Sequence, residues 1–277
     1  MANRRNQRVL FVLECGGVEA DVLSTLPSLA HGGVPEVLGL FIEDEDLLGA
    51  AMLPGASEVS LVNLDRGALN PDRIADDLAR QARSMQAVFE ASAKKFNLRY
   101  SFRVSRGRTM DMLVNEAATS DLVVVCRPLR APGLRSRPGA QFRQLLEHHR
   151  NVLFVNEPWR SGTRVLAVCD GVTSSCRYAM HRASDIAKSE ALEFVVAHVG
   201  ENEAVLKLAR ELGCDHQITI AELNEASLID LCYSQDARLL VMPPVEGLDW
   251  QQLLIGLLDK LSCSLLLLNE AVEPEDA

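Results

Sequence analysis

The chain has 277 residues, of which 48% are hydrophobic and 24% are charged, and this composition is typical of a soluble globular protein with about two domains. The formal net charge of −10 disfavours general nucleic-acid binding, so we expect no nucleic-acid partner. No apolar run approaches the roughly 20 residues of a membrane-spanning helix. The apolar run Val9–Leu13 is too short for a signal sequence. We therefore expect a cytoplasmic protein without a membrane partner.

The first half of the chain alternates between strand and helix patterns. Short apolar runs bounded by charged residues indicate buried parallel strands, and apolar residues at helical spacing indicate helices between them. The predicted strands are Val9–Leu13, Val37–Ile42, Leu98–Val104, Leu122–Val125 and Val152–Val155. The predicted helices are Glu19–Ala30, Pro71–Asn97 with Asn70 as its cap, Gly107–Thr119 and Ala140–His149. The connection Glu43–Leu69 has no clear period, and its length suits a lid or a partner surface.

The second half repeats this order after a linker at Pro158–Thr163. The predicted strands are Val165–Cys169, Leu192–Val199, Gln217–Ala221, Leu239–Met242 and Leu265–Leu268. The predicted helices are Ser174–Lys188, Glu203–Leu212, Ala226–Ser234 and Trp250–Leu261. Each half opens with an apolar run that ends on a carboxylate, Glu14 or Asp170, and closes with an apolar run followed by Asn-Glu. The sequence therefore predicts a repeated domain, with one copy in residues 1–158 and a shorter copy in residues 159–277.

Alternating strands and helices predict an α/β fold of two doubly wound domains, each a five-stranded parallel sheet with helices on both faces. The last strands of the two halves, Val152–Val155 and Leu265–Leu268, are short and fully apolar. Such strands are prone to aggregation if they remain unpaired at a sheet edge. We expect them to pair with each other, so that the two domains form an intramolecular pseudo-dimer.

The order of elements, repeated twice, resembles that of tandem universal stress proteins. Val165–Gly171 resembles the first strand of that family, with an adenine-facing Asp followed by Gly, and Asp121–Cys126 resembles its fourth strand. Cys263–Asn269 resembles its fifth strand, and Ile42–Pro54 resembles the connection after its second strand. The resemblance covers most of the chain and implies a Rossmann-like fold, dimerisation through the fifth strand and an adenine-nucleotide site in each domain.

The phosphate loop of the nucleotide-binding members is missing from both halves. That loop, G-x2-G-x9-G-[ST], uses glycines so that the backbone can approach the phosphates. Cys126 and Pro243 occupy the first glycine position in the two halves. Gly247 and Gly256 are one residue too close together, and Leu257 replaces the expected Ser or Thr. We therefore expect neither half to bind ATP in the manner of the family.

The resemblance nevertheless marks ligand-binding candidates in both halves. In the second half these are Asp170, Gly171, Val199, Gly247 and Gly256. In the first half they are Glu14, Arg127 and Arg130. The arginines belong to an Arg-rich segment that suits an anion held by side chains, although charge clusters of this kind more often form a solvated surface loop. Asp170 is either a ligand for adenine or ribose or the cap of the following helix.

The remaining side chains give no sign of an active site. The chain has seven cysteines without a Cys-x-x-Cys pair, and we expect buried reduced thiols. Cys214 and His216 lack a second pair at zinc-ligand spacing, so we expect no metal. The chain contains no Gly-x-Ser-x-Gly sequence that would present a nucleophile, so we expect no enzyme.

Together these features predict a non-catalytic cytoplasmic stress-response or regulatory protein without a required cofactor. Its expected partners are other proteins, and the sequence leaves open whether the chain forms a homodimer. The alternative is a sensor for an adenine nucleotide such as ATP or AMP, or for a small anion. That sensor would use Asp170 in the second half or the Arg-rich segment of the first.

Overall fold

A computed structural model of the chain describes residues 7–13, 20–29, 34–59, 66–68, 70–126, 144–145, 151–156, 159, 161–214, 216–243 and 250–268. The strands in these ranges are β1 Arg8–Leu13, β2 Glu36–Asp44, β3 Ser57–Val59, β4 Arg66–Ala68, β5 Arg99–Gly107, β6 Leu122–Cys126, β7 Asn151–Val155, β8 Arg164–Cys169, β9 Glu193–Val199, β10 His216–Ile220, β11 Ala237–Met242 and β12 Ser264–Leu268. The helices are α1 Ala20–Leu29, α2 Glu45–Ala51, α3 Pro71–Lys95, α4 Thr109–Ala117, α5 Ser174–Glu190, α6 Glu203–Glu211, α7 Glu225–Ser234 and α8 Trp250–Lys260.

Ten of the strands form one sheet in the order β10-β9-β8-β11-β12-β7-β6-β1-β2-β5. Within each half the five strands are parallel, and in chain order they are arranged 3-2-1-4-5. Apolar residues of α1, α3, α5 and α6 pack on one face of the sheet. Those of α4, α7 and α8 pack on the other. This arrangement confirms the predicted doubly wound α/β class.

The two halves meet where β7 and β12 pair as antiparallel neighbours. The register places Leu265 opposite Phe154 and Leu266 opposite Leu153. All four side chains are buried. Each strand pairs with the side of the other that would otherwise be a sheet edge. The backbone N–H and C=O groups on that side are therefore hydrogen-bonded, and the apolar side chains are shielded from solvent.

Side chains next to this strand pair connect the halves further. Asn156, directly after β7, donates its Nδ2 hydrogens to the carbonyls of Leu261 at 2.7 Å and Cys263 at 3.2 Å. The buried indole of Trp159 donates to Thr25 Oγ1 at 3.0 Å. The halves are therefore held by polar contacts from the linker region as well as by the strands.

A buried arginine connects the helices of the two halves. Arg182 of α5 is 7% exposed and donates to the carbonyl oxygens of Ser28 and Leu29 at the end of α1, at 2.8 and 2.5 Å. The last carbonyls of a helix have no partner within the helix and carry a partial negative charge. The guanidinium therefore provides hydrogen-bond donors for the last carbonyls of α1, across the boundary between the halves.

The connection Glu43–Leu69 contains structure that its sequence pattern does not predict. Asp44 caps α2 by accepting from the Asp46 amide at 2.8 Å. Strands β3 and β4 pair as a short antiparallel hairpin. The exposed side chains of Leu47, Met52 and Leu53 lie in this connection.

None of the helices in the described ranges has the length and hydrophobicity needed to cross a membrane.

Replacing Asn156 by Ala should weaken the connection between the halves. The change leaves the Leu261 and Cys263 carbonyls without their side-chain donor, so we expect a loss of about 1–3 kcal/mol in the free energy of unfolding. Urea denaturation monitored by circular dichroism measures it. Asn115→Ala is the control, because Asn115 is an exposed residue of α4 and should change stability by less than about 0.5 kcal/mol. Equal stability of the two variants would contradict the assigned role of Asn156.

Candidate functional site

The strand order of the second half predicts a ligand crevice at the carboxyl ends of β8 and β11. In a doubly wound sheet, ligands bind at the carboxyl ends of the strands, where neighbouring connections turn to opposite faces. The chain passes from β8 to α5 on one face and from β11 to α8 on the other. The corresponding loops of the first half, residues 14–19 and 127–143, lie outside the described residues. The candidates Glu14, Arg127 and Arg130 therefore have no described position.

The loop after β8 presents a free carboxylate beside a glycine. Asp170 is exposed and makes no hydrogen bond or ion pair with any described residue. Gly171 follows with a φ of +147°, and a Cβ added there would meet nothing within 4 Å. Thr173, and not Asp170, caps α5 by accepting from the Cys176 amide at 3.1 Å. The interpretation of Asp170 as a helix cap is therefore wrong, and its oxygens remain available as acceptors.

Val199 ends the neighbouring strand at the same level as Asp170. The register pairs Cys169 with His198, so the next residues of both strands leave the sheet side by side. Val199 is half-buried, and Gly200 after it has a φ of +59° with open space around its Cβ position. The structure thus brings Asp170, Gly171 and Val199 together.

The buried side chain of His198 holds the turn after β9 through contacts of its two ring nitrogens. Its ring is buried, and Nδ1 lies 2.7 Å from the carbonyl oxygen of Gly200, while Nε2 lies 3.4 Å from Thr219 Oγ1. The Gly200 amide donates to the Ile220 carbonyl at 3.1 Å. The crevice wall on this side is therefore a rigid turn held by an imidazole that is engaged at both nitrogens.

The other side of the crevice offers fewer backbone donors. β11 ends at the buried Met242, and Pro243 follows without an N–H group. Gly247 lies outside the described residues. Gly256 lies inside α8, where backbone amides are bonded to carbonyls four residues earlier. The amide of Gly256 is therefore used by its own helix, and the structure does not bring this residue to Asp170.

Gly256 has a packing role between α7 and α8. A Cβ at this position would lie 1.9 Å from Glu225 Oε2 and 2.5 Å from its Cδ. The same carboxylate accepts from Lys260 Nζ at 2.5 Å. The absence of a side chain lets the carboxylate lie against α8 and reach Lys260, so close approach explains this glycine.

The cysteines of the second half depart from the predicted reduced state. Cys169 at the end of β8 and Cys176 in the first turn of α5 are joined by a disulfide, with their Cα atoms 5.8 Å apart. The prediction of reduced thiols is wrong for this pair, because the strand end and the helix start bring the two residues together. It is confirmed for Cys126, Cys214, Cys232 and Cys263, which are buried thiols.

The free thiols lie in environments that keep them unreactive. A hydrogen bond with Cys263, together with burial, raises the pKa of the Cys232 thiol well above its usual value. Cys214 donates through Sγ to the carbonyls of His216 at 3.0 Å and Phe194 at 3.3 Å. In the described part of the chain, no group of three or more His, Cys, Asp or Glu residues is arranged to hold a metal ion.

Sequence reasoning missed Thr173, Gly200 and the disulfide. Thr173 directly precedes the helix predicted from Ser174, and a Thr at that position is a capping signal that could have been read. Gly200 follows a predicted strand directly, which is where a left-handed residue often ends a strand. The Cys169–Cys176 pair could have been found by noting that it spans a strand end and a helix start.

No family model matches the chain, and no curated protein matches it in sequence. Solved structures do match it. The crystal structure of a universal stress protein from Archaeoglobus fulgidus is similar with a TM-score of 0.65 at 11% identity, covering 96% of this chain and 97% of that chain. A functionally unknown protein from Pseudomonas aeruginosa PAO1 is similar with a TM-score of 0.58 at 16% identity, covering 96% of this chain and 93% of that chain. The chain therefore has the tandem universal stress protein fold that its sequence resemblance implied.

Replacing Gly256 by Ala tests the packing role of this glycine. The added Cβ displaces the flexible Glu225 carboxylate from its ion pair with Lys260, and this loss should offset the gain of Ala over Gly in a helix, so we expect the free energy of unfolding to change by less than about 0.5 kcal/mol. In a Glu225→Ala background the same change should instead stabilise the protein by up to about 1 kcal/mol, the ordinary gain of Ala over Gly in a helix.

Gly49→Ala is the matched control, because Gly49 lies in α2 with nothing within 4 Å of its Cβ position. We expect Ala there to be neutral or stabilising. Chemical denaturation of the four variants gives the free energies. An equal effect of Gly256→Ala with and without the Glu225 side chain would contradict the packing explanation.

Proposed function

We propose that this chain is a non-catalytic stress-response or regulatory protein of the universal stress protein type, whose second half does not hold a nucleotide by a glycine phosphate loop. The observation that carries the proposal is the side of the crevice after β11. Pro243 supplies no amide there, and the amide of Gly256 is bonded within α8. A phosphate chain needs several free backbone donors, which this side lacks at both positions.

The charge of the second half supports the same conclusion. Residues 161–277 contain 8 Lys and Arg against 19 Asp and Glu, a net charge of −11, whereas residues 1–160 carry a net charge of +1. Asp170 adds a free carboxylate within the crevice itself. A polyphosphate is repelled by such a field unless cations or amides compensate it. We therefore infer that the second half disfavours ATP.

Protein contacts are the means of action that we propose. The exposed apolar side chains of α2 and the turn after it support this part of the proposal. Met52 is 75% exposed and Leu53 is 64% exposed. Neighbouring exposed apolar side chains of this kind are common where a protein meets a partner. The proposed localisation remains cytoplasmic.

A second function is favoured by Asp170 and the open glycines beside it. A free carboxylate accepts hydrogen bonds from amino and hydroxyl groups, which an adenine ring and a ribose both present. The positive φ values of Gly171 and Gly200, with empty space at both Cβ positions, leave room for a ring to approach the backbone. This candidate function is a sensor that binds an adenine-containing ligand mainly through its nucleoside part.

Thermal unfolding of the full chain with magnesium and ATP, ADP, AMP or adenosine tests the proposal. A ligand at a hundredfold excess over its Kd stabilises the folded state by about 2.7 kcal/mol. We expect no shift in Tm with ATP or ADP, because Pro243 and Gly256 offer their phosphates no free amide and the second half carries a net negative charge. An upward shift with ATP that exceeds the shift with adenosine would overturn the proposal.

Asp170→Asn tests the second function wherever AMP or adenosine raises Tm. Loss of a hydrogen bond to a charged acceptor should weaken binding by about tenfold or more. Asp230→Asn is the control, since Asp230 is an exposed carboxylate on α7. If the two substitutions weaken binding equally, Asp170 is not part of the binding site.

A further inference from the structure

The disulfide closes the loop that carries the candidate ligand residues. Cys169 and Cys176 are seven positions apart, and Asp170, Gly171 and Thr173 all lie between them. A bridge of this kind restricts the conformations of the short segment that it closes. The position of the Asp170 carboxylate therefore depends on a bond between two side chains that a reductant can break.

The closed loop is held at its helical end by a second, weaker interaction. Thr173 Oγ1 accepts from the Cys176 amide, so one residue carries both the covalent link and the capping bond. Reduction removes the link and leaves the cap. Helix α5 then keeps its start, whereas the segment from Asp170 to Val172 loses the cross-link between β8 and α5 that closed it.

We infer that the Cys169–Cys176 disulfide is a thiol–disulfide exchange site whose redox state controls the conformation of the Asp170 loop. The co-reactant is a dithiol reductant. One of its thiolates attacks Cys169 Sγ, the bond between the cysteines breaks, and Cys176 leaves as a thiolate that then takes up a proton. The second reductant thiol releases Cys169 as a thiol, so two electrons pass to the protein and the reductant becomes a disulfide.

The place of Cys176 in the fold decides which sulfur leaves. Cys176 is the third residue of α5, a helix of 17 residues. The N-terminus of a helix carries a partial positive charge that stabilises a thiolate. The sulfur with the more stable thiolate leaves faster, so the reductant bonds first to Cys169.

Burial sets the rate of this exchange. Both cysteines are 1% exposed, so a reductant reaches the sulfurs only when the first turn of α5 opens. The Thr173 cap stabilises that turn. Reduction should therefore be limited by opening of the turn and should respond to the strength of the cap.

Only the effect of this loop on ligands depends on the second function proposed for Asp170. The bridge, its reduction and the movement of the loop can be measured without any ligand. Failure of these measurements would overturn the present inference and leave the ATP and Asp170 experiments unaffected.

The first experiment traps the cysteines of the full chain by acid lysis, denaturation and alkylation without reductant, followed by peptide mass mapping. We expect Cys169 and Cys176 to be unlabelled and to gain two hydrogens when dithiothreitol is added. The thiols of Cys126, Cys214, Cys232 and Cys263 should be labelled from the start, because denaturation exposes them. Labelling of Cys169 and Cys176 before reduction would overturn the inference.

The second experiment follows hydrogen exchange of the native chain before and after reduction. We expect amides in the peptide that spans residues 169–176 to exchange at least tenfold faster after reduction. The turn at Gly200 should be unchanged, because its amide is held by Ile220. Equal exchange rates in the bridged and reduced forms would overturn the inference that the disulfide controls the conformation of the Asp170 loop.

The third experiment compares the rates of reduction of two capping variants. Thr173→Ala should speed reduction by dithiothreitol about fivefold, the effect expected from loss of a typical cap. Asn224→Ala removes a matched cap at α7, where Asn224 accepts from the Ser227 amide at 2.9 Å, and should leave the rate unchanged. Equal rates for both variants would show that opening of α5 does not govern the exchange.

Discussion

The antiparallel pairing of β7 and β12 is the interaction on which the arrangement of the molecule depends. It turns two five-stranded sheets into one sheet of ten strands and removes an apolar edge from each half. Since the strands of each half are parallel among themselves, an antiparallel junction directs the carboxyl ends of the two halves in opposite directions. The carboxyl ends of the two sets of strands, where ligands bind in this type of sheet, therefore lie at opposite ends of the strands, and one small ligand cannot bridge them.

The same junction explains why the halves need not be alike. Asn156, Trp159 and Arg182 connect them through hydrogen bonds to backbone or side-chain oxygen atoms of the other half. These contacts fix the relative position of the halves without using either crevice. One crevice can therefore lose or change its ligand chemistry while the shared sheet remains intact.

The regular elements were predictable because each carries a local signal. Asn70 and Pro71 predicted the start of α3, and the structure shows Asn70 accepting from the Asp72 and Arg73 amides. Buried strands such as β6 follow from uninterrupted apolar runs. Strands β3 and β4 were missed because three residues are too few to show a period. The side-chain partners within the site could be predicted only in part, because contacts such as that between Gly256 and Glu225 join segments far apart in sequence.

The glycines of the second half separate into two kinds, and the difference indicates where a ligand can approach. Gly162 and Gly256 are enclosed, since a Cβ would meet Arg238 backbone nitrogen at 2.6 Å or the Glu225 carboxylate at 1.9 Å. Gly171 and Gly200 have positive φ values and open surroundings. A sequence motif counts all four alike, although only the second kind leaves backbone exposed to a ligand.

The open glycines Gly171 and Gly200 lie on the β8 and β9 side of the crevice, beside Asp170, whereas Gly213, which is also open, follows α6. The described part of the β11 side ends in Pro243, which supplies no amide. Recognition in this half must then come from a carboxylate acceptor and exposed backbone rather than from a ring of amide donors. Such a surface suits hydrogen-bond donors and disfavours anions. The disulfide closes the loop that carries Asp170, so the chemistry of the crevice and the redox state of Cys169 and Cys176 depend on the same short loop.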